Sequence, residues 1–294
     1  MSIVYLDDGQ GGQVKTIRFS GVNVQVVNGL GATNGNPQDP FTIDPDLTVT
    51  NGAGNLIIGY NELGNPTGDD RTGSHNLIVG SQANASSFGG QAVGWQNRIT
   101  NAYACVSGGA NGEASGAYSA ISGGTSGVAS GLGSSISGGN AGTASGQQSV
   151  ITGGQLNVSA GLRTAVHGGA DNLATGVESV IVGGKENVAI SPGGGGTSNL
   201  AVVVGGWQNK ARAQGSVIVG GRANDTTANY SAILAGTNNT CIGSPHTGAG
   251  SHSAIVGGEG NQTVNALSAI VSGGLNRTAA GEHDWVAGDL FQDG

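Results

Sequence analysis

Residues 118–124 have the sequence Tyr-Ser-Ala-Ile-Ser-Gly-Gly, and residues 148–154 have the sequence Gln-Ser-Val-Ile-Thr-Gly-Gly. Gly-Gly pairs begin at positions 108, 123, 138, 153, 168 and 183, so the spacing between them is a constant fifteen. They continue at 205 and 220, as Ala235-Gly236, and at 257, where two of the four spacings are longer by seven. A period that persists over most of a chain indicates a solenoid, in which each repeat forms one turn and packs on its neighbours.

Aligning the repeats on this period places residues of one type in columns. One column is aliphatic and contains Val106, Ile121, Ile136, Ile151, Val166, Ile181, Val203, Ile218, Ile233, Ile255 and Ile270, ending at Trp285. A second column contains Asn157, Asn172, Asn187, Asn209, Asn224, Asn239, Asn261 and Asn276. Two positions beyond it the residues are small, as at Ala114, Ala129, Ala144, Ala174, Ala189, Ala211 and Cys241.

A turn of this length is too short for two helices. It suits two short strands joined by two tight turns, which Gly-Gly and either Asn or Gly supply. We therefore predict an all-β, parallel β-roll or solenoid of about 15 residues per turn, with strands stacked about 4.8 Å apart.

The composition excludes several other classes of protein. The chain has 294 residues, of which 59 are Gly, 10% are charged and 4% are aromatic, so it lacks the large side chains of an ordinary globular core. No strict Gly-X-Y period is present, which excludes collagen. The net charge of −8 is modest and the aliphatic residues are periodic, which argues against disorder.

The aliphatic column predicts self-association. Strand alternation places Ser119 and Ile121 on one face and Ala120 and Ser122 on the other. Because a flat roll has little interior, we expect the aliphatic stripe to form a subunit interface, with Ile121, Ile136, Ile151, Ile181, Ile218, Ile233, Ile255 and Ile270 as its residues. The residue after this column changes from Ser, Thr or His to Val or Leu from Val182 onward, so we expect the later turns to be more deeply buried.

The period divides the chain into four segments. Residues 1–50 lack the period and form an N-terminal β cap, in which residues 14–19 and 22–27 are predicted to pair as strands before a loop. Residues 51–104 form irregular first coils, and residues 105–282 form the regular repeats. Residues 283–294 form a C-terminal cap, in which Trp285 closes the aliphatic column.

Three insertions and two tryptophans are candidate ligand-binding features. Extra residues follow Asn61, Asn187 and Asn239, and each insertion contains a proline. We expect all three to leave the coil at one corner, where they either mark a binding face or reflect neutral change in loops. Trp95 and Trp207 each follow a Gly in Trp-Gln-Asn, where the indole either stacks on a sugar ring or covers the edge of the coil. The candidate ligand-binding residues are Trp95, Trp207, Pro66, Pro192 and Pro245.

Motifs for catalysis and for cofactors are absent from the sequence, so we predict no enzymatic activity, catalytic residue, metal or cofactor. Asp171 and Glu186 share a column one turn apart. They are either a carboxylate pair for glycoside hydrolysis or charged residues that only decorate the surface. Arg163 and Glu178 share another column and predict a surface ion pair. His167 has two interpretations. Three copies near the axis of an assembly could hold an anion or a metal, or His167 is a single polar histidine with partners in its own chain.

The sequence also limits the partners and the location. The acidic pI of 4.9 and ten scattered basic residues argue against nucleic acid. The chain shows neither a membrane-spanning run nor a signal peptide. Cys105 and Cys241 fall in different columns many turns apart, so no intrachain disulfide is expected.

The pattern Ser-Ala-Ile-Val-Gly-Gly at 253–258, with Asn and Ala at fixed offsets, resembles the YadA-like head repeat of trimeric autotransporter adhesins over roughly residues 55–288. The resemblance implies a left-handed parallel β-roll in a homotrimer at the tip of a bacterial surface fibre. This chain lacks the heptad stalk and the membrane barrel of that family. The resemblance thus implies an extracellular, non-enzymatic head that binds a host or environmental glycan or a matrix protein. A receptor-binding fibre of a phage or contractile injection particle and a polysaccharide-cleaving spike are the alternatives.

Overall fold

Two long parallel sheets extend from residue 56 to residue 286 in a computed structural model that describes residues 1–190, 200–243, 252–264 and 268–287. Sheet 1 has 15 strands and sheet 2 has 13, and no helix occurs within those ranges. From Leu77–Ser81 onward successive strands alternate between the two sheets, and each strand pairs with the strands one turn before and after it. The predicted all-β solenoid with about 15 residues per turn is therefore confirmed.

Sheet 1 contains one strand from every turn. Its strands are Leu56–Ile58, Leu77–Ser81, Gln91–Trp95, Cys105–Val106, Ala120–Ile121, Ser135–Ile136, Val150–Ile151, Ala165–Val166, Val180–Ile181, Val202–Val203, Val217–Ile218, Ala232–Ile233, Ala254–Ile255, Ile270–Val271 and Trp285–Val286.

Sheet 2 faces sheet 1 across the interior. Its strands are Asn84–Ala85, Arg98–Ile99, Glu113–Ala114, Val128–Ala129, Thr143–Ala144, Val158–Ser159, Leu173–Ala174, Val188–Ala189, Lys210–Ala211, Asp225–Thr226, Thr240–Ile242, Gln262–Val264 and Thr278–Ala279.

Two corners connect the sheets in every turn. The first corner, which runs from sheet 1 to sheet 2, contains the Gly-Gly pair and one residue that bridges to the same position in the next turn, as in Lys185, Trp207 and Arg222. The second Gly of the pair has a positive φ, as at Gly124, where an added Cβ would collide with the carbonyl oxygen of Gly139 one turn on. The glycine period therefore follows from the close stacking of these corners. The second corner returns the chain from sheet 2 to sheet 1.

The aliphatic column lies inside the coil, which corrects the predicted interface. Ile121, Ile136, Ile151, Ile181, Ile218, Ile233 and Ile255 are at most 2% exposed in the single chain. They form one core cluster with the small column of sheet 2, which includes Ala129 and Ala211. Alanine on one sheet leaves room for isoleucine on the other, so the two sheets bury the column themselves. These isoleucines have no exposed surface to offer a second subunit.

The outward face of sheet 1 carries the apolar residues that remain exposed. We call the set Val182, Val204, Val219, Leu234 and Val256 the outer stripe, and its members are 41–47% exposed. In earlier turns the same position holds polar residues such as Ser122 and Thr152. The expected deeper burial of the later turns is therefore wrong for the single chain.

The last turns depart from the predicted register by one residue. Ile255 pairs with Val271 and Val271 with Val286, so the step between the first two is one residue longer than the regular period. The extra residue lies between Thr263 of sheet 2 and the next sheet 1 strand, Ile270–Val271. The sheet 2 pairing of Thr263 with Ala279 is lengthened by the same residue. As a result Ile270 and Trp285 point outward, 41% and 72% exposed, and Trp285 does not close the aliphatic column. The segment 288–294 of the predicted C-terminal cap lies outside the described residues.

The N-terminal segment contains a different strand pair from the one predicted. Ser2–Asp7 pairs antiparallel with Gln13–Arg18, whereas residues 22–27 form no strand. The connection between these two strands is held by Asp8, whose carboxylate accepts hydrogen bonds from the backbone amides of Gln10 and Gly12.

Asparagine side chains form a continuous ladder inside the coil. The amide nitrogen of Asn172 donates to the carbonyl oxygens of Gly168 and Gly184, at 3.0 and 3.1 Å, and its Oδ1 accepts from the backbone N–H of Asn187 at 3.0 Å. The pattern continues through Asn209, Asn224, Asn239 and Asn261. Arg277 follows Asn261 in the ladder, because of the lengthened step, so the predicted place of Asn276 is wrong. Each buried asparagine thus satisfies backbone groups of its own turn and of the next.

We expect Asn172→Ala to lower the free energy of unfolding by about 3 kcal/mol, because it leaves buried backbone groups without partners. The measurement is chemical denaturation followed by circular dichroism. Asn140→Ala is the matched control, since Asn140 is exposed at the corner. Equal stability of the two variants would contradict a structural role for the ladder.

The two cysteines are free, as predicted, but their environments differ. Cys105 lies on the outer face of sheet 1 and is half-buried, whereas Cys241 lies in the interior column of sheet 2. Burial raises the pKa of the Cys241 thiol to about 11. Only a thiolate reacts readily with disulfide reagents.

We therefore expect Ellman's reagent at pH 8 to modify one thiol per native chain and a second only after unfolding. The Cys105→Ser variant should show no rapid reaction, and the Cys241→Ser variant should react as the unmodified chain does. Reductant should leave the melting temperature unchanged. Rapid modification of two thiols in the native protein would contradict the assigned register.

Candidate functional site

Trp207 stands at the first corner, and the local sequence explains how it is presented. Gly205 and Gly206 make the bend, and Trp207 then bridges to Lys185 and Arg222 in the neighbouring turns. Gln208 follows with a φ of 59°, and this left-handed residue turns the chain so that Asn209 points inward to join the ladder. The corner therefore fixes which side chains point outward and which point inward.

Trp-Gln makes the same contact at both of its occurrences. The indole N–H of Trp207 donates to Oε2 of Glu186 at 3.2 Å, and the Gln208 amide donates to the same oxygen at 2.7 Å. At the other occurrence, the Trp95 indole and the Gln96 amide both donate to Oε1 of Gln82, at 3.0 and 2.7 Å. In both places the pair clamps a side chain of the preceding turn.

The environment of Trp207 is richer in charge than that of Trp95. The guanidinium carbon of Arg222 lies 4.4 Å from the centre of the Trp207 ring, a cation–π contact that covers one ring face. Trp207 is 40% exposed and Trp95 is 49% exposed, as expected for tryptophans at a turn. Covering the coil edge is therefore part of the role of Trp207, while a large part of its indole still faces solvent.

A polar groove of about 360 Å³ lies next to the clamp, because Glu186 and Gln208 both line it. Its lining residues are Glu186, Gln208, Lys210, Ala223, Asn224 and Asp225. The Glu186 carboxylate pairs with Lys185 at 3.3 Å, and the Asp225 carboxylate pairs with Arg212 through two hydrogen bonds. We call the residues Lys185, Glu186, Trp207, Gln208, Lys210, Arg212, Arg222 and Asp225 the charged edge.

Hydrogen bonds from the Gln208 amide and the Trp207 indole hold the pKa of the Glu186 carboxyl below its usual value, and Lys185 acts in the same direction. Glu186 is therefore ionised at neutral pH. A general acid of a glycoside hydrolase requires the opposite, a raised pKa. Asp171 occupies the same position as Glu186 one turn earlier, as the sequence predicts, and the Glu186 carboxylate is committed to the clamp.

The predicted site residues do not form one site. Trp95 and Trp207 lie on the same corner, but seven bridging steps separate them, which corresponds to about 34 Å. Pro66 is exposed in a segment that reaches Trp95 through Gln82, whose side-chain amide donates to the carbonyl oxygen of Leu63 at 3.2 Å. Pro192 and Pro245 lie outside the described residues.

The three insertions do not share a corner, so that prediction is wrong. The first follows Asn61 directly, before the chain reaches sheet 2. After Asn187 and Asn239 the chain first forms the sheet 2 strands Val188–Ala189 and Thr240–Ile242. The reason is register, because the backbone of Asn61 aligns with that of Gln82, one position before the asparagine column, although the Asn61 side chain is buried.

Two other predicted contacts are resolved by the structure. Arg163 and Glu178 form the expected ion pair on adjacent turns, with 2.6 Å between Nη2 and Oε1. His167 lies on the outward face of sheet 1, where its Nδ1 is 3.1 Å from the hydroxyl of Thr152. This contact satisfies one ring nitrogen within the chain.

Sequence inspection missed the residues that distinguish the Trp207 corner. Lys210 and Arg212 point outward from sheet 2, and Arg222 follows Trp207 by one regular repeat. The period itself carries the signal, because residues one repeat apart stack and a cation one repeat after a tryptophan covers its ring. The same rule distinguishes Trp95 from Trp207, because the residue one repeat after Trp95 is Ala110, which has no charge.

No protein-family model matches this chain, and no curated protein matches it significantly. Within the described ranges, no helix combines the length and apolar character needed to cross a membrane. In the same part of the chain, no three His, Cys, Asp or Glu side chains converge as a metal site.

We expect the emission of Trp207 to change as the pH falls below about 4.3, the usual pKa of a glutamate. Because the folded pKa is lowered, the clamp is fully formed above that value and is lost as the pH falls through the folded pKa. The measurement is fluorescence of a chain carrying Trp95→Phe and Trp285→Phe, which retains Trp207 alone.

Glu186→Gln is the control for this prediction. The amide oxygen of the glutamine can accept the same two hydrogen bonds, as Gln82 does for Trp95, but it does not titrate. An identical acid transition in the Gln variant would contradict the assignment to Glu186.

Proposed function

We propose that this protein is the non-enzymatic head of a bacterial surface fibre, a homotrimer that binds a glycan or a matrix protein. The bacterial surface, the extracellular location and the number of three subunits come from the resemblance of the repeats to YadA-like heads. The β-solenoid is compatible with a fibre, since parallel stacking gives an extended rod whose length grows with each repeat.

The outer stripe is the observation that carries the proposal. Five aliphatic side chains occupy the same outward position in successive turns of sheet 1, and each is 41–47% exposed in the single chain. The strands beside them add Val180, Val202 and Val217 to the same face. A contiguous exposed apolar face of this kind marks an association surface.

Association along the outer stripe would leave the charged edge free. The stripe lies on sheet 1, whereas Lys210, Arg212 and Asp225 extend outward from sheet 2. A fibre head needs this separation, because one face must bury itself in the assembly while another meets the ligand. The N-terminal hairpin adds further exposed apolar surface, for instance Ile3 and Ile17, which are cross-strand partners.

We expect the unmodified chain to elute as a single species with three times the chain mass of 28.6 kDa. The double variant Val204→Asp and Val219→Asp should lower that mass, because it places charge in an apolar interface. The measurement is size-exclusion chromatography with light scattering, alongside circular dichroism to confirm that the coil is retained.

Two controls separate association from folding. Ser122→Asp adds charge to the polar part of the same sheet face and should leave the mass unchanged. Ile218→Asp places a carboxylate in the core and should unfold the coil instead. A well-behaved monomer of the unmodified chain would refute the proposed assembly.

Ligand binding is tested on an array of glycans and extracellular matrix proteins. The proposal expects retention of at least one class of ligand by the assembled chain. Release of reducing ends from a retained polysaccharide would instead identify a cleaving spike and refute the non-enzymatic role.

A further inference from the structure

We propose that the charged edge binds a carboxylate-bearing sugar, such as a uronic or sialic acid residue of an acidic polysaccharide. The inference rests on the proposed function, since it names the ligand class of the head, and it goes beyond it by assigning a site. Its residues are Trp207, Lys210 and Arg222.

Positive charge is concentrated here against the charge of the whole chain. The protein has ten Lys and Arg residues and a net charge of −8, yet four of the ten basic residues lie within the charged edge. Two carboxylates, those of Glu186 and Asp225, accompany them, so the edge carries a local charge of +2. An acidic rod that concentrates its cations in one place can attract an anion there and repel it elsewhere.

Both carboxylates of the charged edge form ion pairs within the chain, but only two of its four cations do. Glu186 is held by Lys185 together with the Trp-Gln clamp, and Asp225 is held by Arg212. Neither Lys210 nor Arg222 forms an ion pair with any residue that the structure describes. Both side chains are exposed, and Lys210 lines the groove. The charges that remain available to a ligand are therefore two cations.

The groove also suits a sugar ring. Its volume of about 360 Å³ falls within the range of about 300–1,000 Å³ of small-molecule sites. Trp207 precedes the lining residue Gln208, has a partly exposed indole and donates to the lining residue Glu186, while Gln208 and Asp225 supply polar groups. A carboxylated sugar has one apolar ring face, several hydroxyl groups and one anionic group. These three features match the indole, the polar lining and the two cations.

The Trp95 corner provides a control within the same molecule. It has the same Trp-Gln clamp, but neutral Gln82 stands in place of Glu186 and Ala110 in place of Arg222. Arg98 holds the position that corresponds to Lys210, and it is paired with Glu113 at 2.6 Å. The Trp95 corner therefore offers an exposed indole without an available cation.

The test measures binding of trigalacturonate by isothermal titration calorimetry to the full chain. We expect trigalacturonate to bind and its methyl ester, which has the same rings without the charge, to bind at least tenfold more weakly. Lys210→Gln and Arg222→Gln should each weaken binding of trigalacturonate about tenfold, because each removes a charge-assisted contact. Trp207→Leu should weaken it as well, whereas Trp95→Leu should leave it unchanged.

Lys15→Gln is the matched control, because it removes the same charge from the exposed N-terminal hairpin. Melting temperatures of all variants identify any that are destabilised. Equal affinity for the acid and its methyl ester, or wild-type affinity of both Lys210→Gln and Arg222→Gln, would refute the site. Equal or tighter binding of a hexaglutamate peptide would refute the saccharide class and point to an acidic protein.

Light scattering and array binding show whether this inference and the proposed function fail separately. A chain that assembles and retains some ligand, but binds neither trigalacturonate nor sialylated glycans, leaves the fibre head standing and refutes the acidic-sugar site. A monomeric chain that binds trigalacturonate through Lys210 and Arg222 supports the site and refutes the proposed assembly.

Discussion

The packing of one isoleucine column against one alanine column sets the dimensions of this molecule. The two sheets approach so closely that the interior holds a single layer of side chains, with Ile121 on sheet 1 and Ala129 on sheet 2 as a representative pair. In the regular turns a much larger residue on sheet 2 would lack space, and a smaller one on sheet 1 would leave a void. The turn of Ala92 fills the same interior with the sizes exchanged, since Ala92 lies on sheet 1 and the buried Ile99 on sheet 2. Because the regular turns repeat one packing, the area that they bury grows with the number of turns.

The asparagine ladder supplies hydrogen-bond partners for backbone groups inside this thin coil. Tight corners leave backbone carbonyl and amide groups pointing inward, and buried groups of this kind require partners. Asn172 and its neighbours supply them through side chains that span two turns. In the turns of Gly112, Gly127 and Gly142 the asparagine is replaced by glycine, and the space is occupied by an aliphatic side chain, for example Ile136 beside Gly127. The interior therefore tolerates two solutions at the same position.

Fixing the interior in this way leaves the outward positions free to differ along the rod. Alternate residues of each strand point away from the core, so they change without affecting the packing. The outward position of sheet 1 is polar in the early turns and becomes the outer stripe in the later ones, and the charged edge occupies the Trp207 corner in that same later half. Surfaces with different physical character can thus share one scaffold.

The order of amino acids was enough to predict the solenoid, the two strands per turn, the free cysteines and the Arg163–Glu178 pair, because all of these follow from the regular period and from strand alternation. It did not reveal which face of sheet 1 is inside, since a column of isoleucines suits a core and an interface equally well. The burial of this column against the alanines of sheet 2 settled that question, and it turned the predicted interface into the core. Only the folded chain shows the lengthened step before Val271, which exposes Ile270 and Trp285. It also shows which charges pair with each other, and this pairing leaves Lys210 and Arg222 available to a ligand. A repeat predicts which residues stack, but only the folded coil sets which of them meet across its interior and around its corners.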